Sequence, residues 1–238
     1  MDQVSVSRAA DVHAALIWLE RASTQRDRDN MVRFAITTDN AFGVSMANLK
    51  VLARQLDADH DLAIALWKTG IYDARMLAAL IGEPARVTAT LMDRWRGDFD
   101  NWGICDTVCF HLFDKTPHAF AKVTKWRNGR DEFGKRAAFA LLASVALHVK
   151  KTDDKPFLEA LAYIEDAALD DRNFVAKGVN WALRAIGMRN RALNVAAVKL
   201  ARRLATASQA TPRWVGKDAL RALTKPALLA KLAARASR

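Results

Sequence analysis

The chain has 238 residues, 51% of them hydrophobic, enough to bury the core of one large domain or two small ones. No apolar run reaches the roughly 18 residues that a membrane helix needs, and the opening MDQVSVSRAADVHAAL lacks the basic start and long apolar stretch of a secretory signal. The net charge of +11 is lopsided: residues 1–120 hold 13 Lys and Arg against 16 Asp and Glu, and the rest hold 24 against 10.

These features predict a cytoplasmic protein with no membrane contact. The basic second half points to a polyanion partner, most simply nucleic acid; the alternative is a basic surface kept for solubility. Cys105 and Cys109 lie four apart, a helical spacing that does not suit a local disulfide, and no second pair completes a zinc site. They read as reduced, buried thiols, with no metal or cofactor expected.

In chain order, apolar residues fall at helical spacing over 12–23, with Asp11 as N-cap, and a second helix covers 24–36. Residues 37–43 form a loop. Ser45 caps a helix to about Leu56, and Asp59 starts another that closes at Gly70; the helix over 71–82 closes the same way at Gly82. Pro84 sits in the first turn of the next helix, through Trp95. FDNWGICDTVC then opens a helix after Asp98, Asp100 or Asn101, and Pro117 opens one that closes at Asn128-Gly129. Residues 131–150 are long and nearly apolar all round, hence central. Helices over 155–169, 172–187, 191–206, 213–223 and 226–236 complete the chain.

Almost everything reads as helix, in pairs of about 35–45 residues, the layout of HEAT or armadillo repeats. The expected fold is all-α: one domain over 1–238, its helical repeats stacked into a curved solenoid. A non-repeating helical bundle is the alternative.

Trp102 and Asp106 lie one turn apart on a shared helix face. Either the tryptophan is core and the aspartate a surface charge, or the pair flanks something cationic. Trp67, Trp95 and Trp126 fit apolar stripes and read as core, as does Trp18; Trp214 reads as core or as touching DNA. Arg136 has Asp131 and Glu132 about one turn away as ion-pair partners. The five histidines show no metal spacing, and His111 and His148 read as packing residues.

From Phe42 to Leu223 the chain resembles the DNA alkylation repair enzymes of the AlkD type, HEAT-like-repeat glycosylases that remove N3- and N7-alkylated purines. The resemblance rests on FGVSMANLKVLARQL, ALWKTGIYDARMLAALI, FDNWGICDTVC, WRNGRDEFGKRAAFALL, DDRNFVAKGVNWALRAIG and WVGKDALRAL, in that order. It implies Asp106 as the catalytic aspartate, with Trp102 and Trp181 as its aromatic partners. It implies Arg136 in KRAA, and Lys177 and Arg184 around the second tryptophan, as DNA-facing residues. Gly103-Ile104-Cys105, between Trp102 and Asp106, departs from the family's pattern. The implied partner is double-stranded DNA with alkylated bases, bound by a monomer. Alternatives are a non-catalytic DNA binder of the same fold, which could lose Asp106 freely, and a protein-binding scaffold, which would show no salt-dependent DNA affinity.

Overall fold

The computed structural model describes residues 3–36 and 39–236, and among them no strand occurs. The helices are α1 (Gln3–Arg21), α2 (Gln25–Arg33), α3 (Met46–Leu56), α4 (His60–Lys68), α5 (Tyr72–Ile81), α6 (Ala89–Gly97) and α7 (Trp102–His111). They continue as α8 (Ala119–Trp126), α9 (Glu132–His148), α10 (Lys155–Ala167), α11 (Asn173–Gly187), α12 (Arg191–Ala205), α13 (Ala210–Leu223) and α14 (Pro226–Ala236).

Short side chains at the helix starts satisfy amides that have no partner inside the helix. Thr24, Ser45, Asp59, Thr88, Asn101, Asp131 and Asn190 each accept a hydrogen bond from the third residue on. The expected caps at Ser45 and Asp59 and the left-handed stop at Gly70 (φ 72°) are present.

Several boundaries differ from expectation. α1 begins at Gln3, so Asp11 lies inside it rather than at its cap. α2 ends at Arg33, where Phe34 leaves the helix and Ala35 turns the chain with a φ of 55°. Of the expected loop over 37–43, Thr37 and Thr38 lie outside the described residues. α5 closes at Gly82 as expected, but with an ordinary φ of −64°; the glycine serves close approach, since a Cβ there would lie 3.0 Å from Leu112 and 3.1 Å from the Ala78 carbonyl. Pro84 opens only a short 3-10 turn to Arg86, and α6 waits for Thr88. α8 starts two residues after Pro117, at Ala119, and α13 starts at Ala210, with Pro212 in its first turn.

The packing order makes the architecture a helical-repeat solenoid. Each of α3, α5, α7, α9, α11 and α13 packs on the next, forming one row, while α4, α8, α10 and α12 pack behind α5, α9, α11 and α13. One hydrophobic core runs through the stack from Ala15 to Leu223. α9 is the middle of the row: Ala137 to Ala143 are fully buried, and its alanines let α7, α8 and α11 approach on different sides. Trp67 and Trp95 stack at 4.0 Å between ring centroids within this core, and Trp126 is buried too, as expected. Two of the three indole N–H groups have carboxylate acceptors: Trp67 donates to Asp98 and Trp126 to Asp93, which also holds Lys122.

Asp73, fully buried on α5, fixes the segment leading into α3. Its carboxylate accepts from the amides of Phe42 (2.7 Å), Gly43 (3.2 Å) and Val44 (2.8 Å). Asp73→Ala leaves these three amides without their acceptor and is expected to cost about 3 kcal/mol. For a chain of this size that is a fall in Tm of roughly 6–12 °C. A thermal melt within about 2 °C of wild type would show that the carboxylate is dispensable to the loop.

Candidate functional site

The row of helices carries the sequence-predicted residues on adjacent members: Trp102 and Asp106 on α7, Arg136 on α9, Lys177, Trp181 and Arg184 on α11. Asn101 caps α7 through the Ile104 amide at 3.0 Å and so sets Trp102 at the start of the helix. Gly103 follows because α7 lies tight against α5: a Cβ there would be 2.6 Å from the Tyr72 hydroxyl oxygen. The half-buried Trp102 donates its indole N–H to the carbonyl of Phe34 at 2.8 Å, fastening the segment after α2 to the start of α7.

Asp106 and Arg136 meet fork to fork. Arg136 Nε donates to one Asp106 oxygen at 2.8 Å, Nη2 to the other at 2.7 Å, and Nη1 to the Phe174 carbonyl at 2.7 Å. The alternative partners are taken: Asp131 pairs with Arg96, and Glu132 accepts from the Phe174 amide. The carboxylate is the outward member, with its side chain 20% exposed against 7% for Arg136. Burial raises the Asp106 pKa, and the Arg136 guanidinium opposes that rise. Arg136 is itself lifted above its ordinary value by Asp106 against the cost of burial, so it stays charged at every relevant pH.

Two cavities meet at this pair. One, of about 400 Å³, is lined by Phe34, Trp102, Asp106, Arg136, Phe174 and Lys177. The other, of about 440 Å³, is lined by Asp106, Arg136, Lys177, Trp181, Arg184 and Trp214 among others. Asp106 thus lines both cavities, sharing one with Trp102 and the other with Trp181. Trp181 packs near Phe110, the ring centroids 6.3 Å apart and the planes inclined by 28°. Lys177 is exposed, lines both cavities, and has no carboxylate partner among the described residues; its ammonium lies 5.8 Å from the Phe174 ring. Arg184 lies 3.9 Å from Asp218, and its buried Nε has no partner.

Of the residues that sequence reading treated as packing, the two cysteines are buried and His111 is half-buried, whereas His148 is exposed. Cys105 and Cys109 are buried free thiols whose sulfurs donate to the carbonyls of Phe133 and Ala137. His111 is half-buried, and burial, with Lys50 and Lys115 nearby, pushes its pKa down to about 4. His148 sits 2.5 Å from buried Asp114. Sequence reading did not single out Arg33, Phe34 and Phe174 at the cleft; Phe34 reaches it through a contact spanning 68 residues, which no local pattern signals.

The sequence profile described as DNA alkylation repair enzyme matches residues 17–223. A structure solved for a new family of proteins related to the HEAT-like repeat DNA glycosylases, with affinity for branched DNA structures, is similar in fold. Its TM-score is 0.73 at 20% identity, over 80% of this chain and 81% of that one. No curated protein matches the chain.

Arg136 opposes the burial that favours the neutral form of Asp106. Arg136→Gln is therefore expected to move the Asp106 titration to higher pH, read from its side-chain carboxyl carbon by NMR. It should also cost about 3–5 kcal/mol of stability by stranding a buried charge. Arg136→Lys, which restores a cation, should recover part of both. An Asp106 titration unmoved in both variants would show that the guanidinium does not govern its charge.

Proposed function

This chain belongs to the DNA alkylation repair enzyme family, and from that premise we propose that it is a DNA glycosylase, releasing N3- and N7-alkylated purines from duplex DNA and leaving an abasic site. The observation that carries this reading is the Asp106 carboxylate, held by Arg136 where it lines two cavities, one also lined by Trp102 and the other by Trp181.

Alkylation at N3 or N7 puts a positive charge on the purine. When the bond from C1′ to N9 breaks, its electron pair goes to the base, which departs neutral and needs no acid. The positive charge passes to the deoxyribose as an oxocarbenium-like ion. A fixed carboxylate beside that sugar stabilises the developing charge without having to reorganise. Asp106 also accepts the proton from the water that adds to C1′. The faces of Trp102 and Trp181 attract the same cation through their quadrupoles. Lys177 and Arg184 neutralise the flanking phosphates and fix the register of the strand. Arg136 acts through Asp106: its three hydrogen bonds are all internal, and it orients the carboxylate while favouring its ionised form.

A second reading, a non-catalytic protein for unusual DNA, draws support from the affinity for branched DNA described for the structural relative. The outward, ionised carboxylate favours the enzyme, because a binder of phosphates gains nothing from it.

Release of 7-methylguanine from duplex DNA separates the two. Wild type should release the base, and Asp106→Asn should be slower by about a hundredfold or more, with affinity for abasic duplex changed less than about threefold. Equal release by both would remove Asp106 from the reaction; salt-dependent binding with no release by wild type would support the second reading. The pH profile adds a sign. The ionised carboxylate is the active form and burial raises its pKa, so the rate should climb with pH along an acid limb lying above the titration of a free aspartate.

A further inference from the structure

Of the seven tryptophans, Trp214 is the most exposed, at 44%. It stands on the second turn of α13, next in the row after α11. Three others spend their indole N–H on internal acceptors: Trp67 on Asp98, Trp102 on Phe34 and Trp126 on Asp93. The Trp214 ring has neither a hydrogen-bond partner nor a ring contact among the described residues. Leaving so large an apolar face in water forfeits the stabilisation that burying it would bring, and nothing in the packing of α13 requires it.

The surroundings of that face are informative. On one side lies the 440 Å³ cavity that Trp214 shares with Asp106 and Trp181. On the other is a separate cavity of about 420 Å³, lined by Asp171, Asn173, Lys177, Thr211 and Trp214. Lys177 borders both, so one unpaired cation stands between the proposed lesion site and the outer cavity. Asp171 disfavours a phosphate in the outer cavity but can accept from the exocyclic amino group of a base.

We infer that Trp214 is the platform of a second nucleotide subsite, one step along the strand from the lesion site, which takes an unpaired base on its indole face with the adjoining phosphate on Lys177. The base must be unpaired: inside a duplex both faces of a base are already stacked, and only one that has left the stack can lie on an indole. This subsite rests on the reading of the protein as a DNA-binding enzyme and adds a preference to it, for DNA in which a base beside the site is extruded.

The test is equilibrium binding, by fluorescence anisotropy, to a fully paired duplex and to the same duplex with a single-base bulge. Wild type, Trp214→Ala and Trp214→Phe are compared at one salt concentration, with thermal melts confirming that the variants are folded. Wild type should favour the bulged duplex. Trp214→Ala should lose about tenfold on bulged DNA, the order expected for one base on an aromatic ring, and less than about twofold on paired DNA. Trp214→Phe, which keeps a ring, should retain most of the preference. A bulged-to-paired ratio that is the same in Trp214→Ala and wild type, or a wild type that binds both equally, overturns the subsite while leaving the glycosylase reading intact. A wild type that binds neither DNA overturns both.

Discussion

The fork between Arg136 and Asp106 is the interaction on which the site depends. A carboxylate this enclosed is driven towards its neutral acid, which could stabilise no cation. A guanidinium with two parallel N–H groups on it opposes that preference and fixes the plane of the carboxylate at once. The third contact, from Arg136 to the Phe174 carbonyl, ties the fork to the start of α11, the helix that supplies Lys177, Trp181 and Arg184. One arginine on α9 thus holds α7 and α11 in register.

The solenoid makes that register possible. Successive members of one row present side chains to the same surface at regular intervals, so a site can be assembled from single residues on three or four helices without any deep pocket. Acid, indole and basic groups are spread along the row from α7 to α13, an arrangement suited to an extended polymer. The negative first half and strongly positive second half fit the same picture: the acidic residue lies on α7, and the unpartnered lysine lies on α11. No described helix is long and apolar enough to cross a membrane.

Much of this was legible in the sequence where the cause was local. The turn that aligns Trp102 with Asp106, the caps at Ser45 and Asp59, and the largely apolar character of α9 are all read within a few residues. What escaped lay in contacts distant along the chain. Asp131 and Glu132 are the obvious partners for Arg136 by helical spacing, yet Arg96 and the Phe174 amide occupy them, and the arginine turns to an aspartate 30 residues back. The resemblance to a known family placed Arg136 at the site, but facing DNA rather than beneath the carboxylate. The start of α1 was missed because QVSVSRAAD has no apolar stripe, and Gly82 was misread as a left-handed stop because its cause, Leu112, is on the far side of α7.

In the proposed reaction an ionised carboxylate faces a cationic sugar. The most direct measurement is the affinity of the protein for two duplexes differing in one residue: a neutral tetrahydrofuran abasic site and a cationic pyrrolidine abasic site, which resembles the charge of the transition state. The wild-type protein should bind the cationic duplex more tightly, a preference lost in Asp106→Asn while the neutral duplex is bound as before. Equal affinity of the wild-type protein for both duplexes would contradict it.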